Sequence, residues 1–242
     1  MTTPDLRTER RPVALVTGAS AGLGLALAHG LAERGWALII DARGADALDH
    51  AAQDLAGHTD VVPIAGDVTD PGHRRDLADA VSRLGRLDVL VNNASHLGPS
   101  PQPPLGDYPL ENLRRVYEVD VIAPIALTQL VLPALTESRG VIIDISSDAA
   151  VEAYEGWGGY GSAKAALDHA TAVLAAEHPE LAVYAVDPGD LRTAMHQAAF
   201  PGEDISDRPE PVTVVPAFLQ LLDNRPASGR YKAAELMPVV AP

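Results

Sequence analysis

The sequence predicts an α/β chain in which a doubly wound parallel sheet carries helices on both faces, all within a single domain. Three observations lead there. Short apolar runs, many of them β-branched, alternate with segments whose apolar residues recur at helical spacing. The strand-like runs are apolar throughout instead of alternating, which is the pattern of strands buried on both faces. The first run also ends in a glycine-rich turn, Thr17-Gly18-Ala19-Ser20-Ala21-Gly22-Leu23-Gly24, that leads directly into the first helical segment.

Taken in order, Val13 to Val16 is a first strand, and Gly22 to Arg34 is a helix with Leu23, Leu27 and Leu31 in register, stopped by Gly35. Trp36 to Ile40, Val61 to Ala65 and Leu87 to Val91 read as strands two to four. Ala45 to Ala56 and Pro71 to Leu84 are the helices between them. The proline-rich stretch Gly98 to Pro109 reads as loop, and Leu110 to Leu135 as a long helix bent near Pro124. Val141 to Ile145 is strand five, Tyr160 to Ala176 a helix, and Ala182 to Val186 strand six. From Asp190 to Pro211 the pattern loosens, as it does in a substrate lid or a surface connection. Val212 to Leu222 is a last helix, and Tyr231 to Val240 an edge strand. Residues 1–11 are polar and are expected to form a flexible N-terminus. No repeat or linker divides the 242 residues, so one domain is the economical reading.

Composition narrows the function. The formal charge of −15 is spread along the chain, which argues against nucleic acid and against an anionic membrane surface. Cysteine is absent, so there is no disulfide and no thiolate metal site, and no metal is expected. No apolar core of a signal peptide stands near the start, and no run approaches the eighteen or so apolar residues of a membrane helix. A cytoplasmic protein is the expectation.

Two stretches carry chemistry. The glycines after strand one allow a sharp turn and a close approach of a pyrophosphate to a helix N-terminus, where free N–H groups and the helix dipole favour anions. Within Ile145 to Lys164, Tyr160 and Lys164 stand at i and i+4, on one face of a shared helix, and Ser147 lies thirteen residues before Tyr160. A phenol starts from a pKa of about 10, and a neighbouring ammonium favours its charged form. This is an acid–base site in outline. Ser146 competes for the serine role, and the offset favours Ser147.

These motifs, with Asn92-Asn93-Ala94-Ser95 after strand four, Pro188-Gly189 after strand six, and Thr193, resemble the classical short-chain dehydrogenase/reductase family from Val13 to Thr193. The resemblance implies a Rossmann-type sheet of about seven strands, and an NAD(P)-dependent oxidoreductase acting on a carbonyl or secondary alcohol. Gly18, Ser20, Gly22, Leu23 and Gly24 would line the cofactor phosphates and ribose. Asp67 and Val68 would meet the adenine, Asn93 and Ala94 the adenosine ribose. Pro188, Gly189, Leu191 and Thr193 would flank the nicotinamide. Tyr160 would be the general acid or base, Ser147 the substrate anchor, and Lys164 would hold the nicotinamide ribose and lower the Tyr160 pKa.

The end of strand two decides the nucleotide. Arg43 would bind a 2′-phosphate, favouring NADP(H). If the strand slips by one residue, Asp41 becomes the ribose ligand and NAD(H) is preferred. Three departures from the family pattern stand out: Ser95 where a glycine is usual, Asp120 where an asparagine is usual, and a C-terminus with only Ser228-Gly229. Asp120 is expected to shift the pH profile. The pocket for a small-molecule substrate would be lined by His96, Tyr154, Trp157 and Met195. A homodimer or homotetramer is expected. The alternative reading is a catalytically idle dinucleotide-binding sensor or partner protein, and a narrower one is an epimerase or dehydratase of the same fold.

Overall fold

The computed structural model describes residues 11–236. Seven parallel strands form one sheet in the order β3-β2-β1-β4-β5-β6-β7. They are β1 (Val13–Val16), β2 (Ala37–Ala42), β3 (Val61–Ala65), β4 (Val89–Asn92), β5 (Val141–Ile145), β6 (Ala182–Asp187) and β7 (Gly229–Lys232). The helices that connect or flank them are α1 (Gly22–Glu33), α2 (Ala45–Leu55), α3 (Pro71–Leu84), α4 (Leu110–Tyr117), α5 (Ala123–Ser138), α6 (Gly158–Glu177), α7 (Ala194–Ala199), α8 (Val215–Asn224) and α9 (Ala233–Leu236). Strand order runs outward in both directions from β1 and β4, so the chain reverses its winding between them and opens a crevice at the carboxyl ends of those strands.

The uniformly apolar strands are explained by the two cores. Successive side chains of a strand point to opposite faces. Ala14 and Val16 of β1 join Leu38, Ile40, Val91 and Ile143 in the core under α1 and α8, while Val13 and Leu15 join Ile39, Leu90 and Ile142 in the core under α3 and α5. Every residue of β1, β2, β4 and β5 is buried. The outer strands β3 and β7 are largely half-buried, and Pro63 is tolerated because β3 pairs on one side only.

Several boundaries move. β2 extends two residues past the expected end, to Ala42, because Asp41 and Ala42 continue the ladder with Ile64 and Ala65. β4 begins at Val89, since the Asp88 carboxylate accepts the Val13 N–H at 2.8 Å before the ladder starts. The long helix is interrupted by a π-helical turn at Glu118–Ile122, just ahead of Pro124. Proline has no N–H for the carbonyl four residues back, which is that of Asp120, so the helix must rewire there. The edge strand expected from Tyr231 to Val240 is shorter: it ends at Lys232, Ala233–Leu236 is helical, and 237–240 lie outside the described residues. Residues 1–10 of the expected flexible terminus also lie outside them.

The expectation of no membrane-length apolar run needs correction. Leu110–Ser138 is helical over 29 residues and holds an 18-residue stretch with a mean hydropathy of 1.7, long and apolar enough to cross a membrane, but half of that stretch is buried within the domain. Leu127, Val131 and Leu135 pack into the core beneath α5, which is why this helix is so apolar.

Candidate active site

At the carboxyl ends of the strands lies a cavity of about 460 Å³ that reaches from the β2–β3 side to α6 and α7. The glycine turn forms its floor. Gly18 and Gly22 take φ of +65° and +57°, the left-handed region that glycine adopts freely. Gly18, Ser20, Gly22 and Leu23 line the cavity. Gly24 does not. A Cβ there would stand 2.4 Å from the Gly18 carbonyl oxygen, so Gly24 lets α1 pack on its own turn and does not face a ligand. The residue before α1, Ala21, supplies no side-chain cap, which leaves the first-turn N–H groups open to an anion. The donor set fits a dinucleotide pyrophosphate.

On the β2–β3 side, Asp41 and Arg43 divide sharply. Asp41 is 1% exposed; one carboxylate oxygen accepts the Gly18 N–H at 2.8 Å and the other lies 2.9 Å from His73 Nε2. Burial pushes its pKa up, partly offset by His73 and Gly18. Asp41, the alternative ribose ligand, borders the cavity, but its carboxylate is turned inward and braces the glycine turn. Arg43 is exposed at the cavity and has no hydrogen-bond or ion-pair partner among the described residues. Asp67 accepts from the Thr69 N–H and hydroxyl and from Arg115 at 2.5 Å. Against the opposing cost of desolvation, these partners hold its pKa down at about 2. Val68 packs on Val119 and Ala94.

After β4, Asn93 donates to the Thr17 and Gly18 carbonyls and so ties this loop to the glycine turn. Ser95 donates to Asp120 Oδ2 at 3.2 Å, and Leu97 packs with Tyr160, Ala149 and Met195. His96 lies between them and lines the cavity. Burial, then the charges of Arg115 and Arg43, push its pKa down. Arg115, Arg43 and Asp67 of the β2–β3 side act on its ring, while Leu97 packs at the Tyr160 end.

Ser147, Tyr160 and Lys164 come together as the spacing requires. α6 carries Tyr160 and Lys164 one turn apart, and the ammonium stands 5.5 Å from the centre of the phenol ring. Lys164 is 2% exposed and donates to the Ile145 carbonyl at 2.8 Å. Desolvation would lower its pKa, but Tyr160, Asp120, Asp168 and Asp144 more than offset that and raise it. Burial pushes the Tyr160 pKa up, while Lys164 and hydrogen bonding from Ser95 and Ser147 pull it down; the net direction is upward. Lys164 therefore stays an ammonium and Tyr160 a phenol at neutral pH.

Ser147 Oγ donates to Asp148 Oδ1 at 3.0 Å and accepts the Ala149 N–H. Ser146, its competitor, is 2% exposed. Asp120 is fully buried on the π-helical turn, with the His96 N–H on Oδ1 at 2.7 Å, and burial pushes its pKa up to about 6. Sequence reasoning missed Arg230, which donates to the Ser147 carbonyl and pairs with Asp168 at 2.9 Å. Nothing local marks an arginine 83 residues downstream as a partner of that serine.

The segment after β6 covers the cavity. Pro188, Gly189, Leu191, Thr193 and Met195 line it, and Thr193 Cγ2 lies 3.5 Å from where a Gly22 Cβ would be. Thr193 also caps α7 by accepting the His196 N–H. Trp157 lines the cavity in edge contact with Tyr160 and against Phe200. Tyr154 departs from expectation: it is 47% exposed, lies outside the cavity lining and donates to Asp148 Oδ2. Its short loop points it to solvent.

A nucleotide-sized crevice at the strand reversal, with a Ser-Tyr-Lys group beside an open glycine turn, defines an oxidoreductase of the dehydrogenase type. The chain belongs to the short chain dehydrogenase family, whose family model matches residues 12–204. It is 35% identical over 187 residues to the 7alpha-hydroxysteroid dehydrogenase of Escherichia coli K12, covering 74% of this chain and 71% of that protein. Among solved structures, a short chain dehydrogenase from Pseudomonas syringae superposes with a TM-score of 0.87 at 31% identity, over 96% of this chain and 98% of that one. One from Shigella flexneri 2a, complexed with NADP, gives 0.87 at 30% identity over 92% and 97%.

Proposed function

We propose that this protein is an NADPH-dependent reductase that converts a ketone or aldehyde to an alcohol, with Tyr160 as the proton donor. The observation that carries this is the placement of a protonated Tyr160 beside the Lys164 ammonium, Ser147 and the uncapped N-terminus of α1 in one cavity. When bound, the nicotinamide supplies the hydride.

The chain's own residues do the rest. The first-turn N–H groups of α1 hold the pyrophosphate, and the dipole of α1 favours its charge. Arg43 forms charge-assisted bonds to a 2′-phosphate, the task for which a guanidinium without a protein partner is suited. Asp41 suits a ribose less, because its carboxylate is buried and turned toward Gly18 and His73. Asp67 and Val68 border the adenine, and Asn93 and Ala94 the adenosine ribose. Gly189, Leu191 and Thr193 border the nicotinamide, and Lys164 its ribose. Ser147 turns its hydroxyl to the substrate oxygen, and Tyr160 hands that oxygen its proton as negative charge develops. Lys164 stabilises the phenolate that results. Leu97, Trp157 and Met195 make the substrate wall apolar and exclude water, so the substrate is a small molecule with an apolar body. The exposed Ile122 and Leu130, two turns apart on one helix, suit a contact with a second copy of the chain.

The test is NADPH oxidation with a panel of ketones and aldehydes. Turnover by the wild type that falls at least about 10³-fold in Tyr160→Phe, with NADPH binding intact, is the expected result. Equal turnover by the variant would refute the assignment.

A further inference from the structure

We propose that Asp148 selects the substrate by charge, favouring a ketone or aldehyde with a protonated amine beside its carbonyl and rejecting one with a carboxylate there. The inference rests on the reductase reading and adds a substrate class to it. Five carboxylates line the cavity: Asp41, Asp67, Asp148, Asp187 and Asp190. Four of them have a basic partner. His73 lies 2.9 Å from Asp41, and Arg115 lies 2.5 Å from Asp67. Arg230 lies 3.5 Å from Asp187, while His196 and Arg208 stand 3.8 and 4.0 Å from Asp190. Asp148 has neutral donors only. The Ser147 hydroxyl and the Ala149 N–H meet its Oδ1 at 3.0 and 2.8 Å, and the Tyr154 hydroxyl meets Oδ2 at 3.0 Å. Its charge thus has no ion pair among the described residues, and it stands next to the serine assigned to the substrate oxygen.

The bond from Ser147 sharpens the selection. A hydroxyl has one proton, and in the structure Ser147 gives it to Asp148. For Ser147 to meet the substrate oxygen, that proton must turn away, and Oδ1 then keeps only the Ala149 N–H. A donor on the carbon next to the carbonyl reaches the vacated position, because the substrate oxygen and Oδ1 both contact the same Oγ. An ammonium there replaces the lost bond with a charge-assisted one. A carboxylate there sets a second negative charge against Asp148, beside the apolar wall of Leu97, Trp157 and Met195 that limits screening by water. No cation of the cavity cancels this. Arg43 and Arg115 belong to the β2–β3 side, and the buried Lys164 ammonium is held by the Ile145 carbonyl. The same apolar wall takes the body of the substrate.

The test compares three aryl ketones that differ in one group on the α-carbon: propiophenone (methyl), α-aminoacetophenone (ammonium) and benzoylacetate (carboxylate). Each is reduced with NADPH at pH 6 by the wild type and by Asp148→Asn, whose amide oxygen keeps an acceptor for Ser147 and Ala149 and loses the charge. The intrinsic reactivity of each ketone cancels when ratios of kcat/KM are compared between the two proteins. The ammonium-to-carboxylate ratio should fall at least about tenfold in Asp148→Asn, with propiophenone between the two. A ratio equal in both proteins overturns the proposal. A second arm uses NADP in its oxidised form, so that no ketone is reduced, and reads binding from tryptophan fluorescence, to which Trp157 in the cavity responds. Tighter binding of the ammonium ketone than of the carboxylate, and loss of that order in Asp148→Asn, is expected. An order indifferent to the substitution, or failure of all three to bind, overturns the subsite. If the wild type reduces no ketone yet binds these three in the expected order, the reductase reading fails and the charge selection stands.

Discussion

The guanidinium of Arg230, on the last strand of the sheet, donates to the main-chain carbonyl of Ser147 at 2.8 Å and lies 3.5 Å from Asp187 Oδ2. A residue from the sheet edge therefore fixes the backbone of the residue that anchors the substrate, and through Asp168 it ties that backbone to the helix of Tyr160 and Lys164. The short C-terminal segment keeps this contact even though its sequence departs from the family pattern.

Arg230→Met should therefore cost about 2–4 kcal/mol, because two largely buried carboxylates lose their cation. It should also lower kcat about tenfold with little change in NADPH affinity. Urea denaturation and steady-state kinetics on the same preparation check both, and Arg230→Lys should fall between.

Asp120 makes stability depend on pH. Its folded pKa is about 6, against an unfolded value of about 4, so the folded chain binds more protons between those values. The Asp120 contribution to stability is then greatest below pH 4, falls as pH rises through 6 and is lost above it. Asp120→Asn removes the cost of burying that charge and should gain about 1–3 kcal/mol at pH 7 and nothing at pH 4. Denaturation at the two pH values reads the difference.

Arg43→Ser should weaken NADPH binding by roughly 10- to 100-fold, the worth of charge-assisted hydrogen bonds, and leave NADH binding unchanged. Titration of nicotinamide fluorescence measures both. Equal losses for the two nucleotides would place Arg43 away from the 2′-phosphate.

Gly24→Ala drives a methyl group to within 2.4 Å of the Gly18 carbonyl and 2.5 Å of Asn93 Nδ2. The turn must shift, at a cost of about 1–3 kcal/mol, and NADPH binding should be lost before the fold is. Thermal unfolding with and without NADPH separates the two effects.

The central strands were legible because each is buried on both faces and reads as an unbroken apolar run, and the glycine turn and the Tyr160–Lys164 spacing are local. What escaped depends on tertiary direction. Asp41 and Arg43 are two residues apart, yet one points into the core toward His73 and the other stands exposed at the cavity. Leu97 packs beside Tyr160 and Met195 from a loop position that no motif marked. The bend expected near Pro124 is a π-helical turn just before it, and only that turn brings Asp120 to Ser95. Tyr154 was grouped with Trp157 by sequence proximity, but the loop sends it to solvent.

The most direct measurement gives the wild type NADPH carrying deuterium at the transferable position of its nicotinamide, together with a ketone, and reads the alcohol by mass spectrometry. Deuterium on the carbinol carbon, with the yield of labelled alcohol about a thousandfold lower in Tyr160→Phe under the same conditions, is what a reductase built on this cavity must give. NADPH that binds tightly while no ketone or aldehyde gains deuterium would contradict it and turn the chain into a nucleotide-binding protein that has kept its serine, tyrosine and lysine without using them.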